Sequence, residues 1–147
     1  MIKMETLIQL LKKVLSDTFI MYYKVQSFHW NVEGQKFMQL HNLFGDMYKE
    51  MFDAIDLLAE DIRTHNEYCP TTLKRILEVG EIEEKENIPT ADEMIKNLLD
   101  CNSILLKTLK ITLKFAESND QHGTVDLLSS RIVSHEKYGW MLRSILK

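Results

Sequence analysis

Apolar residues recur every three or four positions through most of this chain. From Met4 to about His29 they fall at Leu7, Leu10, Leu11, Val14, Leu15, Thr18, Phe19, Tyr22, Val25 and Phe28, which is the stripe of an amphipathic helix. The segment Asn31-Val32-Glu33-Gly34 breaks it, since Asn and Gly favour turns. A second stripe runs from about Lys36 to Thr64 through Leu40, Phe44, Met47, Met51, Ile55, Leu58 and Ile62, and Pro70 closes that region. Thr71 to Leu77 predicts a short helix ahead of a polar run. Thr90 and Glu93 have the spacing of a capping box, in which each satisfies the other's free backbone N–H. They start a third long helix, carried by Ile95, Leu98, Leu99, Leu105, Leu106, Leu109 and Leu113 to about Ala116. Ser118 to Gly123 reads as a loop. A fourth long helix follows through Val125, Leu128, Ile132, Met141, Leu142 and Ile145, with Arg143 and Lys147 suiting the negative end of its dipole. The expectation is an all-α four-helix bundle with a short extra helix between the second and third long ones. At 147 residues the chain has room for one domain, 1–147.

Composition changes this picture mainly by exclusion. Apolar residues make up 45% and charged residues 27%, the balance of a soluble globular protein. The net charge of −4 comes with no basic segment, which argues against a domain held on DNA by phosphate contacts. Two distant cysteines, Cys69 and Cys101, read as reduced thiols rather than a disulfide framework or zinc knuckle. The N-terminus alternates apolar and charged residues instead of forming a signal peptide. No run approaches the roughly 18 apolar residues of a membrane span. A cytoplasmic location is expected. Phosphate loops, a nucleophile elbow and CxxC pairs are missing. His135-Glu136 opens like a zinc-protease helix, but Gly139 stands where the second histidine belongs. No histidine has a glutamate three residues before it, so an intrachain di-iron site of the Glu-x-x-His type is not expected.

Imidazoles and carboxylates remain around the first turn and along the second helix: His29, His41, Asp53, Asp56 and Glu60. Asp56 and Glu60 are one helical turn apart and share a strip of surface. His41, Asp56 and Glu60 fall within a sector of roughly 100° on the shoulder of the apolar stripe, beside Phe52 and Ala59. Acids in apolar company cost free energy unless something neutralises them. Such spacing is nonetheless more often a solvated helix face than a metal site. His41 and Asp56 lie about 22 Å apart along a continuous helix, so one ion cannot touch both within a subunit. If they share a metal, a second copy completes the set, and antiparallel helices about a two-fold axis would form two equivalent sites roughly 20 Å apart. Imidazole with carboxylate suits Fe(II) or Zn(II) better than Mg or Ca.

The stretch SFHWNVEGQKFMQLH, followed by a long helix containing DAIDLLAEDI, resembles the Dps family, the miniferritins. The last helix, DLLSSRIVSHEKYGWMLRSIL, and the short segment PTTLKRILEVGEI resemble the family's as well, so the similarity runs from about Leu7 to Leu146. The resemblance implies a ferritin-like bundle whose copies form a hollow dodecamer. Such a shell oxidises Fe(II), typically with hydrogen peroxide, and stores the ferric mineral inside. It implies two-iron sites between subunits, with His29 and His41 from one chain and Asp56 and Glu60 from the other. Zn(II) is a candidate competitor for that site. Trp30 would donate an electron when one iron is present; interface packing is its other reading. Many members carry an acid one turn after the second histidine, where this chain has Gly45. Asp46 beside it points about 100° away, so the second iron position is expected to be weakly formed.

The family's three-fold pore is lined by acids near the start of the last helix. Glu117, Asp120 and Asp126 occupy that region with His122; Asp126 reads as a pore residue, Glu117 and Asp120 as ordinary loop acids. Rings of carboxylate would draw in Fe(II). His65 reads as a surface residue and His135 as a structural or interface one. Some relatives bind DNA through Lys-rich tails. Here the predicted helices nearly reach both ends and the chain is acidic, so protection of DNA would be indirect. The alternatives are a DNA-compacting structural protein with little ferroxidase activity, and a bundle that binds another metal or only assembles.

Overall fold

The computed structural model describes residues 2–147. It is all-helical, with α1 Ile2–Asn31, α2 Phe37–Thr64, α3 Leu73–Val79, α4 Ala91–Ser118 and α5 His122–Ile145. No strand and no membrane-spanning helix occur among the described residues. α1 packs along α2, α4 along α5, and contacts between α1 and α4 join the two hairpins. The long crossover from α2 to α4 carries α3, which lies against α1. One core of Leu, Ile, Val, Met and Phe runs the length of the bundle, from Leu7, Leu11 and Val14 through Phe44, Met47 and Met51 to Leu98, Leu105 and Leu142.

The termini follow local chemistry. Thr90 and Glu93 cap α4 reciprocally, Thr90 N–H donating to Glu93 Oε2 at 2.8 Å and Glu93 N–H to Thr90 Oγ1 at 3.3 Å. These bonds pull the Glu93 carboxyl below its ordinary pKa. Thr72 accepts from Arg75 N–H at 3.1 Å and starts α3. Asn66 and Asp120 adopt left-handed backbone, φ 63° and 56°, just past the ends of α2 and α4. Short polar residues tolerate that conformation best after glycine.

Two boundaries differ from the sequence reading. Asn31 finishes α1 instead of breaking it, because its side-chain amide donates to the Ser27 carbonyl one turn back. The expected loop from Ser118 to Gly123 shrinks to three residues. The left-handed Asp120 reverses the chain, and His122 and Gly123 already belong to α5. Glu117 is therefore a residue of the last turn of α4 and not a loop acid.

The inward stripe of α5 also departs from a hydrophobic count. Beside Leu128 and Leu142 it buries Arg131, His135 and Tyr138. Arg131 donates to both carboxylate oxygens of Glu50 on α2, one contact very short and the other 3.0 Å, and Tyr138 donates to the same carboxylate. His135 Nδ1–H donates to Asn102 Oδ1 at 2.8 Å, and its Nε2 accepts from Arg131 at 3.1 Å. Burial, reinforced by the Arg131 charge, drives the His135 pKa down to about 3. His135 is thus a neutral structural residue.

A second buried polar tie fixes the crossover. Asp17, fully buried on α1, accepts from the backbone N–H groups of Glu81 and Ile82 at 2.8 and 3.0 Å. Gly80 lets this happen: a Cβ there would come within 2.5 Å of Ile20 and 2.8 Å of Asp17.

Candidate metal centre

The sequence places His29 in the last turn of α1 and His41 in the second turn of α2, on either side of a tight corner. Val32 plugs the corner from within, its N–H donating to Phe28 C=O at 2.9 Å. Gly34 turns it with φ 105°, a conformation L side chains avoid. The corner brings the two imidazoles face to face, centroids 3.8 Å apart and planes 15° from parallel. Each ring is aimed by the other's backbone. His29 Nδ1 lies 2.6 Å from the His41 carbonyl oxygen, and His41 Nδ1 lies 2.8 Å from the His29 carbonyl oxygen. A carbonyl only accepts, so both Nδ1 atoms carry hydrogen. Neither Nε2 has a hydrogen-bond partner among the described residues, so the neutral form of each ring would offer its Nε2 lone pair. That is the state in which histidine binds a metal, with its other nitrogen tied to an oriented acceptor.

Two neighbours that sequence reasoning missed, with Gly45, which it read only as a missing acid, complete the pocket. Phe37 stacks on the outer face of His41 at 5.1 Å, and Tyr48 meets His29 edge-on at 5.2 Å. Gly45 packs directly on the His29 ring; a Cβ there would sit 3.2 Å from Cε1 and 3.3 Å from Nδ1. The absence of a side chain at 45 is thus the space that His29 occupies. Helical spacing from His41 was the available signal for Gly45 and Tyr48, but contact with a ring on another helix has none.

Further along α2, Asp56 and Glu60 stand exposed one turn apart. A hydrogen bond shared with Asp56, and then Asp56's like charge, raise the Glu60 pKa. A cation between the two carboxylates would relieve that crowding. The structure brings His29 to His41 and Asp56 to Glu60, but it does not bring the two pairs together. Among the described residues no group of three His, Cys, Asp or Glu side chains could hold a metal. Asp53 is exposed on the same helix. On α1 and α2, Tyr23, Trp30, Phe37, Met38, Phe52 and Leu57 are exposed apolar side chains. Trp30 rests edge-on against Tyr23 at 6.2 Å. A cavity of about 600 Å³ between α1, α4 and segment 84–89 is lined by neither pair.

At the opposite corner Glu117, His122 and Asp126 are all exposed, beside the left-handed Asp120. His65 corrects the sequence reading. Its side chain is only 10% exposed, with Nε2 3.1 Å from Thr124 Oγ1 and 3.8 Å from Asp61. The Thr124 hydroxyl donates to Asp61 at 2.9 Å, so this trio ties the end of α2 to the start of α5.

Comparison with known proteins agrees with this architecture. The ferritin-like domain family matches residues 8–147. DNA protection during starvation protein 2 of Bacillus anthracis is 33% identical over 139 residues, covering 95% of each chain. The crystal structure of a Dps protein from Bacillus brevis superposes with a TM-score of 0.95 at 30% identity, covering 100% of this chain and 99% of that one. The Vibrio cholerae Dps protein, described as a member of the ferritin-like diiron-carboxylate superfamily, gives 0.93 at 30% identity over 99% and 91%. This chain belongs to the ferritin-like proteins and, within them, to the Dps family.

Proposed function

We propose that this protein oxidises Fe(II) with hydrogen peroxide at sites shared between subunits and stores the Fe(III) mineral inside a dodecameric shell in the cytoplasm. The observation that carries the reading is the pair of half-sites. His29 and His41 offer two pre-aimed nitrogen donors, while Asp56 and Glu60 offer two crowded carboxylates about 22 Å along the same helix. Antiparallel α2 helices from two copies would set the histidine end of one beside the acid end of the other. The exposed apolar side chains of α1 and α2, Trp30, Phe37, Met38, Phe52 and Leu57 among them, support that assembly.

In such a site the carboxylates compensate the charge of the incoming ferrous ions, and the imidazoles supply borderline nitrogen donors. Iron binding would relieve the like-charge crowding that raises the Glu60 pKa. Peroxide takes two electrons from two ferrous ions and leaves as water, bypassing hydroxyl radical. The donor set also suits Zn(II), a competitor. With Gly45 filled by the His29 ring, the second iron has no acid from that position. Asp126, with Glu117 and Asp120, would line the entry pore. We give Trp30, packed on Tyr23, an interface role. Protection of DNA would follow from removing iron and peroxide, a role in keeping with the name of the Bacillus anthracis relative.

The double variant Asp56→Ala/Glu60→Ala tests the reading in stopped-flow iron oxidation with peroxide. The parent should form a soluble yellow-brown product rapidly and the variant should not. Equal rates would remove these acids from the site.

A further inference from the structure

We propose that Phe37 is a positioning residue of the metal centre: its ring is the outer stop that holds the His41 imidazole in its aim, a role that rests on the function proposed above. The two imidazoles are unequally constrained. His29 has His41 stacked on one face at 3.8 Å and Tyr48 edge-on at 5.2 Å. Gly45 packs against it so closely that a Cβ would come 3.2 Å from Cε1, and its Nδ1 lies 2.6 Å from the His41 carbonyl oxygen. His41 has fewer holds. Its Nδ1 lies 2.8 Å from the His29 carbonyl oxygen, and His29 covers its inner face. Phe37 covers the outer face, with centroids 5.1 Å apart and planes 29° from parallel. No other hydrogen bond or ring contact reaches the His41 imidazole among the described residues. A single hydrogen bond fixes one point of a ring and lets the rest pivot about it. His29 blocks the inward swing, and Phe37 blocks the outward one.

The local fold explains why position 37 can serve. Phe37 is the first residue of α2, and its N–H donates to the Gly34 carbonyl at 3.1 Å, so the left-handed turn at Gly34 delivers it to the helix. Residues four apart on a helix lie one above the other, which sets ring 37 over ring 41. α2 begins without a side-chain cap and without an acid in its first turn. The stack on His41, with the Lys36–Asp92 pair at 3.2 Å, ties that opening turn down. A flat ring lying against an imidazole limits its tilt as well as its swing. A branched alkyl group meets the same face at a few points and leaves the tilt free. The geometry therefore asks for an aromatic ring at 37 and not merely for an apolar side chain. Phe37 stays 38% exposed, which leaves its far side for a neighbouring copy.

The experiment uses the assembled protein, free of metal and labelled with nitrogen-15 in histidine. Magic-angle-spinning NMR at pH 8 reads the rigidity of each imidazole, and His41→Asn identifies the His41 signal by its loss. The parent should show His41 as a rigid ring with hydrogen on Nδ1. Phe37→Leu should leave that ring mobile while His29 stays rigid, and should bind Co(II) about 10–100-fold more weakly. Phe37→Tyr, which keeps the flat face, should match the parent in both readouts. Native mass spectrometry should give one assembly state for all three. A Phe37→Leu protein whose His41 is as rigid and whose Co(II) affinity is as high as the parent's overturns the assignment, and so does a Phe37→Tyr protein that loses both. Loss of assembly in Phe37→Leu with His41 still rigid also overturns it, making Phe37 an interface residue instead. The ring signal is read without metal. A parent that fails to oxidise Fe(II) therefore overturns the function proposed above, while that signal still decides the role of Phe37.

Discussion

Gly45→Ala separates the stability of the helix from the quality of the metal site. Alanine in the interior of α2 favours the helix by about 1 kcal/mol over glycine. The new Cβ, however, would meet His29 Cε1 at 3.2 Å and Nδ1 at 3.3 Å, inside the roughly 3.5–4.0 Å of comfortable carbon contact. His29 must therefore give by a few tenths of an ångström. It has little room, being stacked on His41 at 3.8 Å and bonded to the His41 carbonyl at 2.6 Å. Weakening that bond costs about 1 kcal/mol, which offsets the helical gain. Thermal unfolding should thus stay within about 1 kcal/mol of the parent. Metal binding should suffer more, because loosened orienting partners typically cost 10–100-fold in affinity. Titration with Co(II), followed by calorimetry and its visible absorption, should show affinity at least about tenfold weaker, or about 1.4 kcal/mol. Unchanged Co(II) affinity in a well-folded variant would refute the claim that the empty space at 45 positions His29.

Three further outcomes follow from the buried polar groups. Below pH 6.5 an unfolded chain protonates His135 while the folded one, with its pKa near 3, does not. Folding stability should therefore fall with pH, by about 2 kcal/mol between pH 6.5 and 5. Guanidinium unfolding at fixed protein concentration should show His135→Gln losing that part of the slope. Glu50→Ala leaves the Arg131 guanidinium, only 4% exposed, without its carboxylate. This should cost about 3 kcal/mol in thermal unfolding, and adding Arg131→Met should restore most of it. Asp17→Ala removes the acceptor for two backbone N–H groups. Hydrogen exchange at Glu81 and Ile82 should quicken sharply, and stability should fall by about 1–3 kcal/mol.

The three-to-four residue period made α1, α2 and α4 legible in the sequence, because their buried faces are almost wholly apolar. The middle of α5 was not legible for the opposite reason. Arg131, His135 and Tyr138 are buried by partners that sit 81, 33 and 88 residues away, and no local pattern announces them. Asp17 escaped notice likewise, since its partners are backbone groups of the crossover. In the candidate site, helix arithmetic alone separated the histidine pair from the acid pair. What it could not supply was the aim of the rings, because a carbonyl acceptor leaves no mark in a residue string. Gly45 shows the same limit: as a letter it is a missing acid, and in three dimensions it is room for an imidazole.

The mutual anchoring of His29 and His41 sets an order of events for each newly made chain. Because every lone pair on offer depends on a carbonyl across the bend, a chain whose first two helices have not yet closed presents only two swivelling imidazoles. In the proposed site folding would come first and capture second, with the ion a late arrival to a finished corner and not the template on which that corner is built.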